Sequence, residues 1–147
     1  MTSVTVREAA FADAGTLVQL NRICMGYDYP AEKAAAQLET LLNSGRDKIL
    51  VAEREGRVMG YVHLVDYNLL YADPMKNVMG IAVDPACRRQ GIGRALLKAG
   101  EAWAKETGAA GVRLVSGESR ADAHAFYRAL GYTGTKMQLN LRKCSKR

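Results

Sequence analysis

The chain of 147 residues has little of what a secreted, membrane-spanning or metal-binding protein needs. It holds three widely spaced cysteines, with no CxxC pair, and two histidines, so neither a disulfide framework nor a metal site is expected. No run approaches the roughly 18 consecutive apolar residues of a membrane span. The first residues, MTSVTVREAA, lack the basic stretch and apolar run of a secretory signal. These absences predict a cytoplasmic protein with no metal and no membrane partner.

Internal repeats and Pro/Gly/Ser-rich linkers are also missing. Apolar residues make up 48% of the chain and charged residues 24%, which is ordinary for a globular protein. This length is enough to bury a core without covalent staples. We therefore expect one domain over residues 1–147.

The net charge of +6 is concentrated in two places. Residues 136–147 hold five basic residues and no acid, and Arg88, Arg89 and Arg94 surround two glycines; the remainder is slightly acidic. No nucleic-acid-binding motif accompanies either cluster. We interpret the basic tail as a solvated end and expect no nucleic-acid partner.

Hydrophobic periodicity and turn residues divide the chain into alternating strands and helices. The predicted strands cover residues 3–8, 48–70 (a hairpin turning at Glu55-Gly56), 77–83, 111–116 and 132–141, and the predicted helices begin at Asp13 and Pro30 or cover residues 91–107 and 121–130. This order predicts an α/β domain.

The stretch RRQGIG, residues 88–93, directly precedes the long third helix. The first N–H groups of a helix have no internal partners and bind anions, and glycines let a ligand approach the backbone. Arginines add the charge that suits a pyrophosphate. The P-loop pattern is absent, and the GxGxxG pattern fails because Leu96 stands at its third glycine. By itself the stretch is equally compatible with a structural loop.

The longer stretch VDPACRRQGIGRALL, residues 83–97, resembles the acetyl-CoA-binding motif of the GCN5-related N-acetyltransferases (GNAT family). The matching residues are Val83, Pro85, Arg88, Gly91 and Gly93. A second stretch, AHAFYRALGY, resembles the family's second motif through Ala123, Phe126, Tyr127, Gly131 and Tyr132. The resemblance implies a single-domain α/β fold with a mixed, mostly antiparallel sheet flanked by about four helices. It also implies an acyltransferase with acetyl-CoA as cosubstrate.

The resemblance further implies where acetyl-CoA binds. The pantetheine arm would pair with the backbone of Ile81, Ala82 and Val83. The pyrophosphate would be held by the segment Arg88, Arg89, Gln90, Gly91, Ile92, Gly93 and Arg94.

The resemblance assigns Tyr127 as the proton donor to the departing thiolate, and a backbone N–H near Ala82 as the oxyanion donor. Many relatives carry a glutamate base on the fourth strand, but residues 76–80 (KNVMG) contain no acid. The base is then a water chain, Glu118 or His63, and for each of the two side chains a structural or merely exposed role is favoured.

The stretch SGESRADAHAFY resembles a branch with the pattern R-x-x-A-H-x-F-Y, which includes proteins similar to aminoglycoside 6′-acetyltransferases. Arg120 and His124 belong to this pattern. In the family the acceptor lies against the first two helices and the loop near residues 67–73. Aromatic faces and carboxylates there suit a small cationic amine such as an aminosugar or polyamine. The expected acceptor-binding residues are Tyr27, Asp28, Tyr29 and Tyr67.

Two other functions remain open at this point. One is acetylation of a protein N-terminus or lysine, and the other is a non-catalytic module that binds CoA. A homodimer formed through the last strands is a further possibility that the resemblance suggests.

Overall fold

The computed structural model describes residues 3–117 and 119–145. Its elements are β1 (Thr5–Glu8), α1 (Ala14–Met25), α2 (Ala31–Leu42), β2 (Asp47–Arg54), β3 (Arg57–Leu69), β4 (Ala72–Val83), α3 (Ile92–Glu106), β5 (Val112–Leu114) and α4 (Ala121–Ala129). Single-turn 3₁₀ helices, Phe11–Asp13 and Pro85–Cys87, precede α1 and α3. No helix in the described ranges is long and apolar enough to cross a bilayer.

The strands form one sheet in the order β1-β2-β3-β4-β5. The first four are antiparallel neighbours, and β5 runs parallel to β4. Parallel neighbours need a long connection, which α3 provides. The predicted α/β fold, with a mixed, mostly antiparallel sheet and four helices, is confirmed.

The β2–β3 hairpin turns at the predicted dipeptide. Glu55 and Gly56 both have positive φ, at 52° and 79°, which is the backbone of a two-residue turn that matches strand twist. The next hairpin was missed, because β4 begins at Ala72 and not at residue 77. Pro74 is tolerated inside β4 because its carbonyl faces Ala110, on the β5 side, so its missing N–H lies outside the β3 ladder.

Helix α3 packs on one face of the sheet. Leu64, Ile92, Leu96 and Leu97 are each at most 1% exposed. Gly60 allows this close approach, since a Cβ there would lie 3.3 Å from side-chain atoms of both Ile92 and Leu96. The buried helix start fixes the position of the turn that precedes it.

Helices α1 and α2 cover the other face of the sheet. The buried residues of this second cluster are Ala9, Leu17, Leu20, Leu38, Ile49, Val51, Tyr61 and Ala82. Both clusters belong to one compact unit, residues 1–114.

Residues 115–147 form a second compact unit. It contains α4, which ends before Gly131, a residue with φ of 97°. The predicted strand over residues 132–141 is wrong, since the described structure has none there. Met137, Leu139 and Leu141 alternate as in a strand, but each is at least 70% exposed. Alternation stabilises a strand only when one face is covered, and here neither face is.

Candidate active site

The turn between β4 and α3 is tied down by hydrogen bonds at its start. The Asp84 carboxylate accepts the Ala86 backbone N–H at 2.9 Å and the Arg57 guanidinium at 2.8 Å. Arg57 begins β3, so these bonds join the turn to the β2–β3 hairpin. The chain therefore leaves the sheet in a fixed direction.

The end of the turn presents backbone N–H groups and positive charge to solvent. Arg89 and Gly91 have left-handed backbone, with φ of 65° and 76°, and α3 starts at the buried Ile92. The N–H groups of the first helical turn have no partners within a helix. Arg88, Arg89 and Arg94 are exposed around them. This arrangement fits a multiply charged anion such as a pyrophosphate.

A fourth arginine, Arg54 at the end of β2, was not expected at this turn. Its Nη1 donates to Gln90 Oε1 at 2.7 Å. Its Nε is buried without a hydrogen-bond partner in the described part of the chain. The sequence carried no signal for this contact, because the two residues are 36 positions apart.

The edge of β4 beside the turn is open. Strand β5 pairs with β4 only from Lys76 to Val78, whereas β3 pairs with it as far as Val83. Backbone groups on such an edge can pair with an added extended segment. Ile81, Ala82 and Val83 lie beyond the β5 ladder and directly before the turn.

One side-chain contact reaches this end of β4. The Cys24 thiol, on α1, donates to the Val83 carbonyl at 3.2 Å. Burial raises the pKa of Cys24, an effect that the charge of Arg88 opposes. The thiol is therefore a structural donor here.

Tyr127 lies on α4, in the second unit. Its ring centroid is 5.3 Å from that of Phe126 and 6.0 Å from that of Tyr132. Burial raises the pKa of Tyr127, and the nearby Arg120 charge opposes the shift. The phenol is thus protonated at neutral pH and able to donate a proton.

His124 and Glu118 were also named from the sequence around the start of α4. A His124 ring nitrogen, Nε2, hydrogen-bonds the Gly117 carbonyl at 2.8 Å, which ties α4 to the turn before it. Glu118 lies outside the described residues. The structure therefore gives His124 a local structural contact.

A cavity of about 210 Å³ lies between α1, α2 and the sheet. Its lining is mostly apolar, and its sheet side, called the floor below, carries the polar side chains of Tyr61 and His63. The lining residues are Ala14, Leu17, Val18, Asn21, Tyr29, Ala34, Gln37, Leu38, Leu41, Ile49, Tyr61 and His63.

Two hydrogen-bonded pairs lie at the floor of this cavity. The Tyr61 hydroxyl donates to Asn21 Oδ1 at 2.5 Å, and burial raises the Tyr61 pKa. His63 Nε2 lies 2.8 Å from Asp47 Oδ1. Sequence reasoning named His63 but missed its partner. The available signal was that alternate residues of paired strands share a face.

The four expected acceptor-binding residues do not all meet in the cavity. Tyr29 lines it, while Tyr27 is 62% exposed. Asp28 is exposed and ion-paired with Arg22 at 3.3 Å. The Tyr67 ring lies 4.1 Å from the Arg113 guanidinium, which stacks on it.

No metal-ligand cluster accompanies these groups. Within residues 3–117 and 119–145, no three His, Cys, Asp or Glu side chains come together as metal ligands would. Cys24, Cys87 and Cys144 are free thiols.

Comparison with known proteins identifies one relative that matches most of the chain and another that matches about half of it. The chain is 31% identical over 140 residues to aminoglycoside N(6′)-acetyltransferase type 1 of Stenotrophomonas maltophilia, covering 90% of this chain and 88% of that protein. It is also 35% identical over 83 residues to an aminoalkylphosphonate N-acetyltransferase of Salmonella typhimurium, covering 56% of this chain and 54% of the relative.

Solved structures share the fold. A transcriptional regulator from Bacillus halodurans C-125 superposes with a TM-score of 0.87 at 22% identity, over 96% of this chain and all of that one. An aminoglycoside N-acetyltransferase in complex with CoA gives 0.86 at 18% identity, over 97% of this chain and 96% of the other.

The family expected from the two motifs is confirmed by a match that extends over both compact units. Residues 15–132 match the acetyltransferase (GNAT) family. The chain therefore belongs to the acetyltransferase (GNAT) family and is an acetyl-CoA-dependent N-acetyltransferase.

Proposed function

We propose that this chain transfers the acetyl group of acetyl-CoA to the primary amine of a small cationic molecule, such as an aminosugar or a polyamine, by direct attack of the amine on the thioester. The observation that carries the proposal is the open edge of β4, which leads straight into the arginine-rich turn. The pantetheine arm of acetyl-CoA is extended and ends in a pyrophosphate, so the arm matches the open edge and the pyrophosphate matches the turn that follows it.

The donor is held by backbone and arginine groups. Ile81, Ala82 and Val83 pair with the pantetheine arm along the open edge. The turn from Arg88 to Arg94 holds the pyrophosphate through N–H groups and guanidinium charge. Bound in this way, acetyl-CoA supplies an activated acetyl group as a thioester.

The chain's own residues stabilise charge and hold a proton. A backbone N–H near Ala82 donates to the carbonyl oxygen as negative charge develops on it. Tyr127 holds the proton that the departing thiolate takes. Burial supports this role, because the raised pKa keeps the phenol protonated across the physiological range.

The acceptor enters the cavity between α1, α2 and the sheet. Its apolar walls suit the carbon skeleton of the amine, and the polar floor receives the nitrogen. Tyr29 lines this cavity. Tyr27, Asp28 and Tyr67 do not line it, and we propose that they contact parts of the acceptor that extend outside it. The aminoglycoside acetyltransferase of Stenotrophomonas maltophilia supports an aminosugar as one acceptor to test.

The test is thiol release from acetyl-CoA in the presence of aminoglycosides, polyamines, amino acids and short peptides. Turnover with one class of small amine supports the proposal and identifies the acceptor. Turnover confined to peptides would indicate a protein acetyltransferase instead. Binding of acetyl-CoA without turnover on any amine would indicate a binding module and contradict the proposal.

A further inference from the structure

The His63–Asp47 pair is an oriented imidazole in a cavity. The two side chains are 17% and 12% exposed, and His63 Nε2 lies 2.8 Å from Asp47 Oδ1. An ionised carboxylate can only accept hydrogen bonds, so Nε2 must carry the proton in this contact. In a neutral imidazole the other nitrogen, Nδ1, is then an acceptor. The pair therefore presents a nitrogen that can take up a proton.

The strand register places His63 on β3, the strand that pairs with the proposed donor strand β4. His63 is paired with Gly80 across β3 and β4, one residue before Ile81. The anion-binding turn follows Val83, so a donor arm running along the edge extends from the turn toward Gly80. A strand advances about 3.3 Å per residue, so the arm can reach the level of His63 along the sheet. Because β4 lies between β3 and that edge, the arm and the β3 backbone are about two strand spacings apart, roughly 10 Å, a gap that the imidazole and the acceptor amine would fill.

The local packing leaves room at this point. Gly80 has no side chain, and a Cβ built on it would lie 3.8 Å from the Tyr61 hydroxyl. His63 and Tyr61 both line the cavity where the acceptor is proposed to bind. Among the described lining residues, only His63 carries an imidazole, whose second ring nitrogen can accept a proton.

We propose that His63 is the catalytic base of the transfer and that Asp47 is its positioning residue. The inference rests on the proposed function and names the group that β4 lacks, since residues 76–80 contain no acid. His63 Nδ1 takes a proton from the incoming ammonium group and so exposes the nitrogen lone pair. Asp47 holds Nε2–H and keeps Nδ1 directed at the amine.

The protons and electron pairs balance. The amine lone pair forms the N–C bond, the C–S bond breaks, and its electron pair leaves on sulfur. Of the three ammonium protons, one stays on the amide nitrogen and one passes through His63 to solvent. In the overall balance, the third replaces the proton that Tyr127 gives to the thiolate.

The first test is nitrogen NMR of the unaltered protein without substrates. The chain has two histidines, so the spectrum of His63→Gln identifies the His63 signals directly. We expect neutral His63 to be protonated at Nε2 and unprotonated at Nδ1. Asp47→Asn should raise the Nδ1-protonated population. A His63 that is protonated at Nδ1 in the unaltered protein would overturn the proposal.

The second test compares two acceptors in His63→Gln. One is the best amine of the panel, and the other is its alkoxyamine analogue, in which oxygen replaces the carbon next to nitrogen. The first is protonated at neutral pH and needs a base, whereas the second is already uncharged. We expect kcat/KM to fall about 100-fold with the amine and by only a few-fold with the alkoxyamine.

Equal losses of kcat/KM with both acceptors would show that His63 has a structural role. A loss under about threefold with the amine would show that His63 has no role in the reaction. Either result overturns this inference and leaves the proposed function standing. Thermal melting of the variant shows whether it has folded. An unaltered protein that acetylates no amine at all would refute the proposed function, and this inference with it.

Discussion

At the scale of single residues, Asp13 is a buried charge that the fold depends on. Its carboxylate accepts Arg7 at 2.9 and 3.1 Å and the Ala10 backbone N–H at 2.7 Å. The Arg7 hydrogen bonds hold the pKa of Asp13 below its ordinary value. Because the folded-state pKa is the lower one, this stabilisation is present at neutral pH and is lost as pH falls through the folded-state pKa.

Asp13→Asn should therefore destabilise the protein at neutral pH. We expect the free energy of unfolding to fall by about 1.5–3 kcal/mol, because charged hydrogen bonds are lost while Arg7 stays in place. Urea unfolding measures this, and the difference should shrink in acid. Asp28→Asn, at an exposed ion pair, is the control and should change stability little. Equal stability of Asp13→Asn and the parent at pH 7 would contradict this account.

Tyr127→Phe removes the proposed proton donor and leaves the ring in place. We expect kcat to fall about 100-fold with little change in melting temperature. Because burial raises the pKa of Tyr127 above its ordinary value, deprotonation of the phenol should not limit the parent rate at neutral or mildly alkaline pH. Full activity in Tyr127→Phe would remove it from the mechanism.

Residue types in a local pattern could be predicted, but their partners could not. The residues 88–94 are contiguous, so their chemistry was evident from their order. His63 and Asp47 are 16 positions apart and meet only when β2 and β3 pair. Arg54 reaches Gln90 only when the turn before α3 lies beside the end of β2. Contacts of this kind depend on how distant segments of the chain come together, which a local sequence pattern does not specify.

At the scale of elements, the contact of β3, β4 and α3 depends on one glycine. A Cβ on Gly60 would lie 2.8 Å from the Ala82 carbonyl oxygen and 3.3 Å from Ile92 and Leu96 side-chain atoms. Gly60→Ala must therefore move backbone that is proposed to bind the donor. We expect a loss of about 1–3 kcal/mol in stability and weaker acetyl-CoA binding, measured by unfolding and calorimetry.

Gly15→Ala is the matched control for this substitution. Gly15 lies in the first turn of α1, with nothing within 4 Å of its built Cβ. Alanine there should leave stability unchanged or raise it by up to about 1 kcal/mol. A Gly60→Ala variant as stable as Gly15→Ala would contradict the packing described for α3.

The turn before α3 should recognise the pyrophosphate and not the acyl arm. Arg94→Gln is expected to weaken CoA binding about tenfold or more, because a charged hydrogen bond is lost. Binding of S-acetylpantetheine, which lacks the pyrophosphate, should not change. Lys98→Gln, an exposed charge one turn along α3, is the control. Calorimetry at two salt concentrations measures these affinities, and equal losses for both ligands would contradict the assignment.

The type of an element was predicted correctly where the structure gives its apolar face something to pack against or gives its backbone a strand to pair with. The amphipathic helix α3 and the Glu55-Gly56 hairpin formed as expected. The predicted strand at 132–141 did not form, because period-two alternation is a local property whereas pairing is not. The start of β4 was missed because a proline usually ends strand pairing. Pro74 fits inside β4 only because its nitrogen, which carries no hydrogen, faces away from the β3 ladder.

At the scale of the whole molecule, the order of elements and two motifs were enough to predict the family. The match over residues 15–132 confirms it. The expectation of one domain over residues 1–147 stays a prediction, as does a homodimer through the last residues. The structure has two compact units, 1–114 and 115–147, with the proposed donor site in the first and Tyr127 in the second.

The central claim is that an amine attacks acetyl-CoA directly, with no acetyl group held on the protein. The most direct measurement supplies acetyl-CoA with a ¹³C-labelled acetyl group and follows the label by mass spectrometry, with and without the acceptor amine. The account predicts the label on the acceptor nitrogen and an unlabelled protein in both mixtures. Label on a protein side chain before the amine is added, or label released only as acetate, would contradict it.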